Sequence, residues 1–197
     1  MKEKSHISLI IILLSITLFA CYHIYYYFMN QKSESLIDSY FSKSERENNI
    51  LPMVNNIKEN ETIKEEYFGI IEIPKINLKE GFYEKESKYN NVNHSVTLLK
   101  ESIMPNNSNS IIYLAAHSGS GPLAYFKNLN QLTNEDRINL LYKNEKYLYV
   151  IVDIYEYPRK GNIIINRNIH EDYLVLTTCS NHKDMQIVIV SKLINKV

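Results

Sequence analysis

Residues 7–28, ISLIIILLSITLFACYHIYYYF, form a run of 22 that carries no formal charge unless His23 is protonated. At ~1.5 Å per residue a helix of that length reaches about 33 Å, which matches a hydrocarbon core of roughly 30 Å. Such a stretch either crosses a membrane or is removed after targeting, so it constrains the chain more than any other feature. A cleaved leader is the competing reading, because Leu18-Phe19-Ala20-Cys21 faintly resembles a lipoprotein cleavage site. Phe19 is bulky for that position, and the apolar run continues past Cys21. An uncleaved single-pass anchor is therefore expected. Lys2 and Lys4 precede it and place the N-terminus in the cytoplasm by the positive-inside rule. Tyr22, Tyr25, Tyr26 and Tyr27 suit an aromatic belt at the outer interface.

Beyond the anchor, residues 31–66 are polar and charged, with Leu36, Ile37, Tyr40 and Phe41 at helical spacing. A short amphipathic helix is expected there, followed by a flexible stalk from Ser44. The expected organisation is a tip and membrane anchor over 1–30, a helical or flexible stalk over 31–66, and an outer domain over 67–197. Lysine plus arginine equals aspartate plus glutamate at 22 each, so no net field points to nucleic acid.

The outer domain is patterned for strands. YFGIIEIPKINL at 67–78 reads as a strand broken by Pro74, and NSIIYLAAHS at 109–118 as a buried strand. Leu123, Phe126, Leu129 and Leu132 are spaced by three, which predicts a short helix. Two β runs around KNEK at 143–146 predict a hairpin, and YLVLTTC and MQIVIVSKLI supply two more strands. Seven or eight strands with one or two short helices give a mostly antiparallel β-barrel or sandwich.

Chemistry is sparse. Cys21 and Cys179 are the only cysteines, too few for a disulfide framework or a cysteine-only metal site. No spacing of Cys, His and carboxylates suggests a metal site, and the glycines at 119 and 121 lack the rest of a nucleotide-loop fingerprint. A lone strand cysteine is ordinarily inert core. Cys179, however, ends its strand and opens into Ser-Asn-His-Lys-Asp. His117 ends a different apolar strand and opens into Ser-Gly-Ser-Gly. Two strand-terminal residues at loop mouths, of types that pair as nucleophile and proton carrier, suggest a thiol–imidazole couple. His182 reads as an exposed turn residue, and His94 and His170 sit in polar stretches.

These residues resemble the sortases, membrane-anchored cysteine transpeptidases of Gram-positive bacteria. LVLTTC at 174–179 looks like their T-L-x-T-C signature, and GIIEIPKINL at 69–78 resembles their opening G-x-L-x-I-P-K-I strand. AAHSGSGPLAYFKNL at 115–129 is similar to their A-G-H…F-x-x-L segment, and IVIVSKLI at 187–194 to their last strand. The four match in order, with the histidine 62 residues before the cysteine. The resemblance covers residues 67–197 and implies a closed eight-stranded β-barrel with one or two short helices and a Cys–His–Arg site beside a peptide groove. It implies that Cys179 attacks a sorting signal near the C-terminus of a secreted protein and forms a thioacyl intermediate. An amine from a peptidoglycan precursor or a pilin would resolve that intermediate. His117 would protonate the leaving amine and deprotonate the incoming one, and Thr177 and Thr178 would flank the acyl group.

One position departs from the family. Its arginine lies early in the last strand, where this sequence has Gln186. An amide is a neutral donor where a guanidinium is a fixed charged fork. Three assignments stay open: Gln186 takes the oxyanion role, Arg167 substitutes from the loop before the cysteine strand, or no dedicated residue does. Arg137 and Arg159 are the other arginines of the outer domain. A catalytically weak relative that binds sorting signals is the alternative this departure raises. A papain-like enzyme would carry its cysteine near the N-terminus, and an L,D-transpeptidase would need glycine where Thr178 stands. The loop over 158–172 is too short for the long helix of many class B sortases and lacks an acidic cluster for calcium, so no cofactor is expected.

The anchor predicts topology. Protease added to intact protoplasts should remove the outer domain, while untreated cells should retain it in the membrane fraction. Protection of the domain would reverse the orientation, and its release into the medium would favour a cleaved leader.

Overall fold

The computed structural model describes residues 2–49, 65–105 and 107–196. Among these residues one α-helix, α1 (Lys2–Asn49), precedes eight strands: β1 (Gly69–Ile73), β2 (Leu78–Phe82), β3 (Thr97–Leu98), β4 (Ile111–Ala115), β5 (Arg137–Tyr142), β6 (Glu145–Pro158), β7 (Tyr173–Cys179) and β8 (Met185–Lys196). They form one sheet in the order β2-β1-β5-β6-β8-β7-β4-β3. A parallel bridge from Phe82, ending β2, to Val96, just before β3, brings the sheet edges together into a nearly closed barrel. All strand pairs are antiparallel except β4 with β7.

Local sequence explains the main joints. Pro74 ends β1 and starts a 3-10 turn, Pro74–Ile76, which Asn77 caps with φ 49° and its N–H donating to Pro74 O. Asparagine tolerates that left-handed conformation better than most residues. Lys143 and Asn144, both at positive φ, make the two-residue turn between β5 and β6. That turn matches the strand twist, so the hairpin forms as the KNEK pattern predicted. The residues spaced by three at 123–132 fold as turns and a 3-10 segment, Leu129–Gln131, in place of an α-helix. A period of three is the 3-10 repeat, and Phe126, Leu129 and Leu132 use it to fill the core.

The barrel interior is packed with Ile71, Ile73, Leu114, Ile138, Leu140 and Leu176, all essentially fully buried. Along β5, Ile138, Leu140 and Tyr142 point inward by the two-residue period of a strand. β4 and β7 read as unbroken apolar runs because both their faces are covered. Ile112, Leu114, Leu174 and Leu176 face the interior. On the outer face Ile111, Tyr173, Val175, Val188 and Val190 pack under Ile163 and Ile165 of the loop before β7.

α1 is longer than expected. Its first part is the apolar run, and residues 6–25 are exposed. Its second part carries Leu36, Ile37, Tyr40 and Phe41 onto Tyr67, Ile70 and Tyr83 of the barrel wall. The flexible stalk expected from Ser44 is helix through Asn49, and the remainder of that expected stalk, 50–64, lies outside the described residues. The apolar stripe was legible in the sequence, but the wall it packs against was not. At this seam the Tyr67 ring lies directly over Gly81, where an added Cβ would fall 2.1 Å from a ring carbon.

Glu80 is half-buried in the same seam and accepts a hydrogen bond from Ser33 Oγ of α1 at 2.8 Å. Burial pushes its carboxyl up to about 7 from 4.5, with the Ser33 bond opposing. A native value above the unfolded one means that no penalty exists below about pH 4.5. The penalty grows through the interval to about 7 and is complete above it. Thermal unfolding of the full chain in micelles should therefore fall in midpoint as pH rises across that window. Glu80→Gln should flatten the dependence and gain as much as about 3 kcal/mol at alkaline pH. Equal pH profiles for the two proteins would show that Glu80 does not titrate on unfolding.

Candidate active site

The parallel pairing of β4 with β7 runs in register from Ile111↔Tyr173 to Ala115↔Thr177. It continues past the strand ends: Ala116 N–H donates to Thr177 O at 3.4 Å, and Thr178 Oγ1 donates to Ala116 O at 2.8 Å. One step further, His117 comes level with Cys179. Two parallel strands end at the same rim, so residues 62 apart in sequence become neighbours on strands ~4.8 Å apart.

Side-chain alternation decides which groups share a face. Leu174, Leu176 and buried Thr178 point into the barrel, so Thr177 and Cys179 point outward. Leu114 and Ala116 also point inward, which turns His117 outward on the same face. Across the next pair, Cys179 lies opposite Gln186, and Gln186 lies opposite Tyr157 on β6. His117, Cys179, Gln186 and Tyr157 thus form a row on the outer surface. Cys179 and His117 are both exposed, as a reactive couple requires. His117 Nε2 makes a long contact of 3.4 Å with Asn93 Oδ1.

The other residues singled out in the sequence fall in different places. Thr177 is on the outer face, with Oγ1 3.1 Å from both Gln186 Oε1 and Ile187 O, either of which its single hydroxyl proton can reach. Thr178 does not line the outer groove. Its hydroxyl is spent inside the barrel on Ala116 O, where it pins the His117 strand to the Cys179 strand. Gln186 Nε2 donates to Pro158 O at 3.0 Å, so its donor end is turned toward β6.

Arg167 is not brought to this row. Its Nη1 donates to Asn109 O, ahead of β4, and the eight residues from Asn109 to His117 span roughly 25 Å. Arg159, to which the sequence reading gave no role, lies much closer. Its N–H donates to Asp184 O and its Nε donates to Met185 O at 2.9 Å, the carbonyl that also accepts from Ser180 N–H at 3.0 Å. One oxygen therefore separates the Arg159 guanidinium from the residue after Cys179. Only the pairing of β6 with β8 makes this visible.

A clamp holds the turn after the cysteine. Glu156 accepts from Ser180 Oγ at 2.5 Å, and its other oxygen lies 2.7 Å from His182 Nδ1. The Ser180 bond first, then His182, hold the Glu156 carboxyl below the usual carboxylate range. His182 is otherwise exposed, as expected of a turn residue. Among the described residues no three His, Cys, Asp or Glu side chains converge as a metal site.

A thiol and an imidazole level with each other on the exposed face of a β-barrel suit nucleophilic acyl chemistry. The sortase-domain family model matches residues 71–194, and the chain belongs to the sortase family. Its fold is similar to that of sortase C-1 from Actinomyces oris, with a TM-score of 0.60 and 18% identity over 81% of this chain and 99% of that one. It is also similar to sortase C1 from Streptococcus agalactiae, with a TM-score of 0.57 and 24% identity over 66% and 68% of the two chains. A Clostridium perfringens sortase D5 transpeptidase gives a TM-score of 0.60 and 18% identity over 84% and 98%. No curated protein matches the chain.

The pin between the strand ends is open to test. Thr178→Val should cost about 1–2 kcal/mol, because Ala116 O loses its partner inside the barrel. Thr178→Ser, which keeps the hydroxyl, should recover most of that loss. Chemical denaturation of the three proteins checks the order, and equal stability for Val and Thr would show that the bond contributes nothing.

Proposed function

We propose that this sortase-family protein is a membrane-anchored transpeptidase with Cys179 as nucleophile and His117 as proton carrier. It acts on the C-terminal sorting signals of secreted proteins and passes the acyl group to a peptidoglycan-precursor or pilin amine. The N-terminus faces the cytoplasm, and the barrel works outside the membrane. The observation that carries the reading is the matched ending of β4 and β7, which sets His117 beside Cys179 on an exposed face.

In the reaction the Cys179 thiolate adds to the carbonyl carbon of the scissile amide, and the C–N electron pair leaves with the amine. His117 gives that amine its proton, and a thioester remains on Sγ. The incoming amine adds to the same carbon, its proton passes to His117, and the thiolate leaves. Both halves pass through an oxyanion, which needs a donor.

Gln186 stands at the family's arginine position, and one of its two amide hydrogens is taken by Pro158 O. The other is the donor available for the oxyanion. Arg159 supplies a positive charge close by, because only its Nε is engaged by Met185 O. Thr177 orients the Gln186 amide through Oε1. A second reading, a relative that binds sorting signals with little turnover, is favoured by the commitment of Gln186 Nε2 to the backbone.

Incubation of the purified protein with sorting-signal peptides and hydroxylamine separates the two readings. A hydroxamate product requires acyl transfer, and Cys179→Ala should abolish it while leaving the fold intact. Gln186→Ala should lower single-turnover acylation by about tenfold to a thousandfold, with most of the loss in kcat. A silent Gln186→Ala together with a defective Arg159→Ala would move the donor role to the guanidinium. Full activity in Cys179→Ala would remove the mechanism altogether.

A further inference from the structure

Clefts lined jointly by α1 and the barrel at two heights place the barrel along the helix. Tyr25 and Met29 share a cavity with Asn93, His94 and Tyr125. Tyr26 and Asn30 line a cleft with Gly121, Pro122 and Lys127. Further along, Tyr40 and Lys43 line a cleft with Lys143 and Asn144 of the β5–β6 turn. Tyr26 and Tyr40 are about 21 Å apart along the helix axis. The barrel therefore has a near end and a far end relative to the apolar run. His117 belongs to the near end, since its partner Asn93 shares the cavity with Tyr25 and Met29.

The apolar run ends at Phe28, so Tyr25 and Tyr26 lie in its last turn. A run of about 33 Å fills the hydrocarbon core and leaves only the headgroup layer, about 5–7 Å deep on each side, beyond it. Tyr26 and Met29 are nevertheless half-buried, while residues 6–25 are exposed. No spacer is left between the barrel and the bilayer surface. Residues 118–128, which follow His117, must then lie at headgroup depth. The segment begins Ser-Gly-Ser-Gly and carries, next to its end, exposed Lys127, which makes no ion pair among the described residues. Lys79, in the same cleft, is engaged by Glu72 at 3.3 Å and lies over the Phe41 ring.

We infer that the barrel rim formed by residues 118–128 is a membrane-contact surface, seated among the phospholipid headgroups of the bilayer that α1 crosses, with Lys127 directed to lipid phosphate. The rim brings the row that begins at His117 to the membrane plane, and the β5–β6 turn points away from it. This rests on the reading of α1 as a membrane anchor.

The test uses the full chain with Cys21 and Cys179 replaced by serine, in nanodiscs of mixed phosphatidylcholine and phosphatidylglycerol. A fluorophore is placed singly at Lys127→Cys, at Ser120→Cys on the same rim, at Lys146→Cys beside the far turn, and at Ile16→Cys within the apolar run. Lipids carry a nitroxide either on the headgroup or at mid-chain. The headgroup nitroxide should quench the labels at 127 and 120 several-fold more than the label at 146, and the mid-chain nitroxide should quench the label at 16. Equal quenching at 127, 120 and 146, with the label at 16 quenched, would overturn the contact surface and leave the anchor standing. An unquenched label at 16 would overturn the anchor reading and the surface with it.

Discussion

The parallel pairing of β4 with β7 is the interaction on which the candidate site depends. An antiparallel pair would bring the end of one strand beside the start of the other. Parallel pairing brings two ends together, so both loops open at the same rim. The Thr178 hydroxyl on Ala116 O extends the register past the last ladder bond, where strand ends would otherwise fray. The side-chain period of two then puts the imidazole and the thiol on the same face, and a slip of one residue would send either of them inside.

The second organising contact joins α1 to the barrel wall. Ile37 is buried against Tyr67, Ile70 and Tyr83, with Leu36, Tyr40 and Phe41 packed around it. Those apolar groups give the helix a reason to continue well beyond its apolar run. The seam also encloses Glu80, whose carboxyl is most comfortable when protonated. Ser33 meets that carboxyl from the helix side, and Tyr67, whose hydroxyl lies 3.3 Å from Ser33 Oγ, closes the seam from the barrel side. Helix and barrel therefore share a half-buried polar contact as well as an apolar one, and the height of the candidate-site rim along the helix follows from both.

Which arginine comes near Cys179 is a question of position more than of composition. Arg167 sits in a loop that crosses the sheet toward the start of β4, where it bonds Asn109 O. Arg159 follows β6 directly and reaches the Met185 carbonyl at the start of β8. Its place in the loop before the cysteine strand pointed to Arg167, which is twelve residues before Cys179 where Arg159 is twenty. Strand pairing reverses that order, because β6 and β8 are neighbours along most of their length. Gln186 lies opposite Cys179, and its amide has found backbone and hydroxyl partners of its own.

Much of the fold was legible in the chain itself. The strands at 69–82, 111–115, 137–158, 173–179 and 185–196 follow from apolar runs, Pro74 and the Lys143-Asn144 turn, all of which act within a few residues. The spacing of Leu123, Phe126, Leu129 and Leu132 was visible too, but a period of three fits a 3-10 segment that a helical reading overruns. Cys179 and His117 announced themselves as polar-chemistry residues at the ends of apolar strands. Their adjacency, the inward turn of Thr178, the nearness of Arg159, the remoteness of Arg167 and the docking of α1 did not. Each depends on which strands become neighbours and in what register. The sequence by itself determined the elements, the apolar run and the residue types of the candidate site, because local propensity and periodicity set those. Only the tertiary structure decided which side chains meet, because pairing across the sheet joins segments that no local pattern connects.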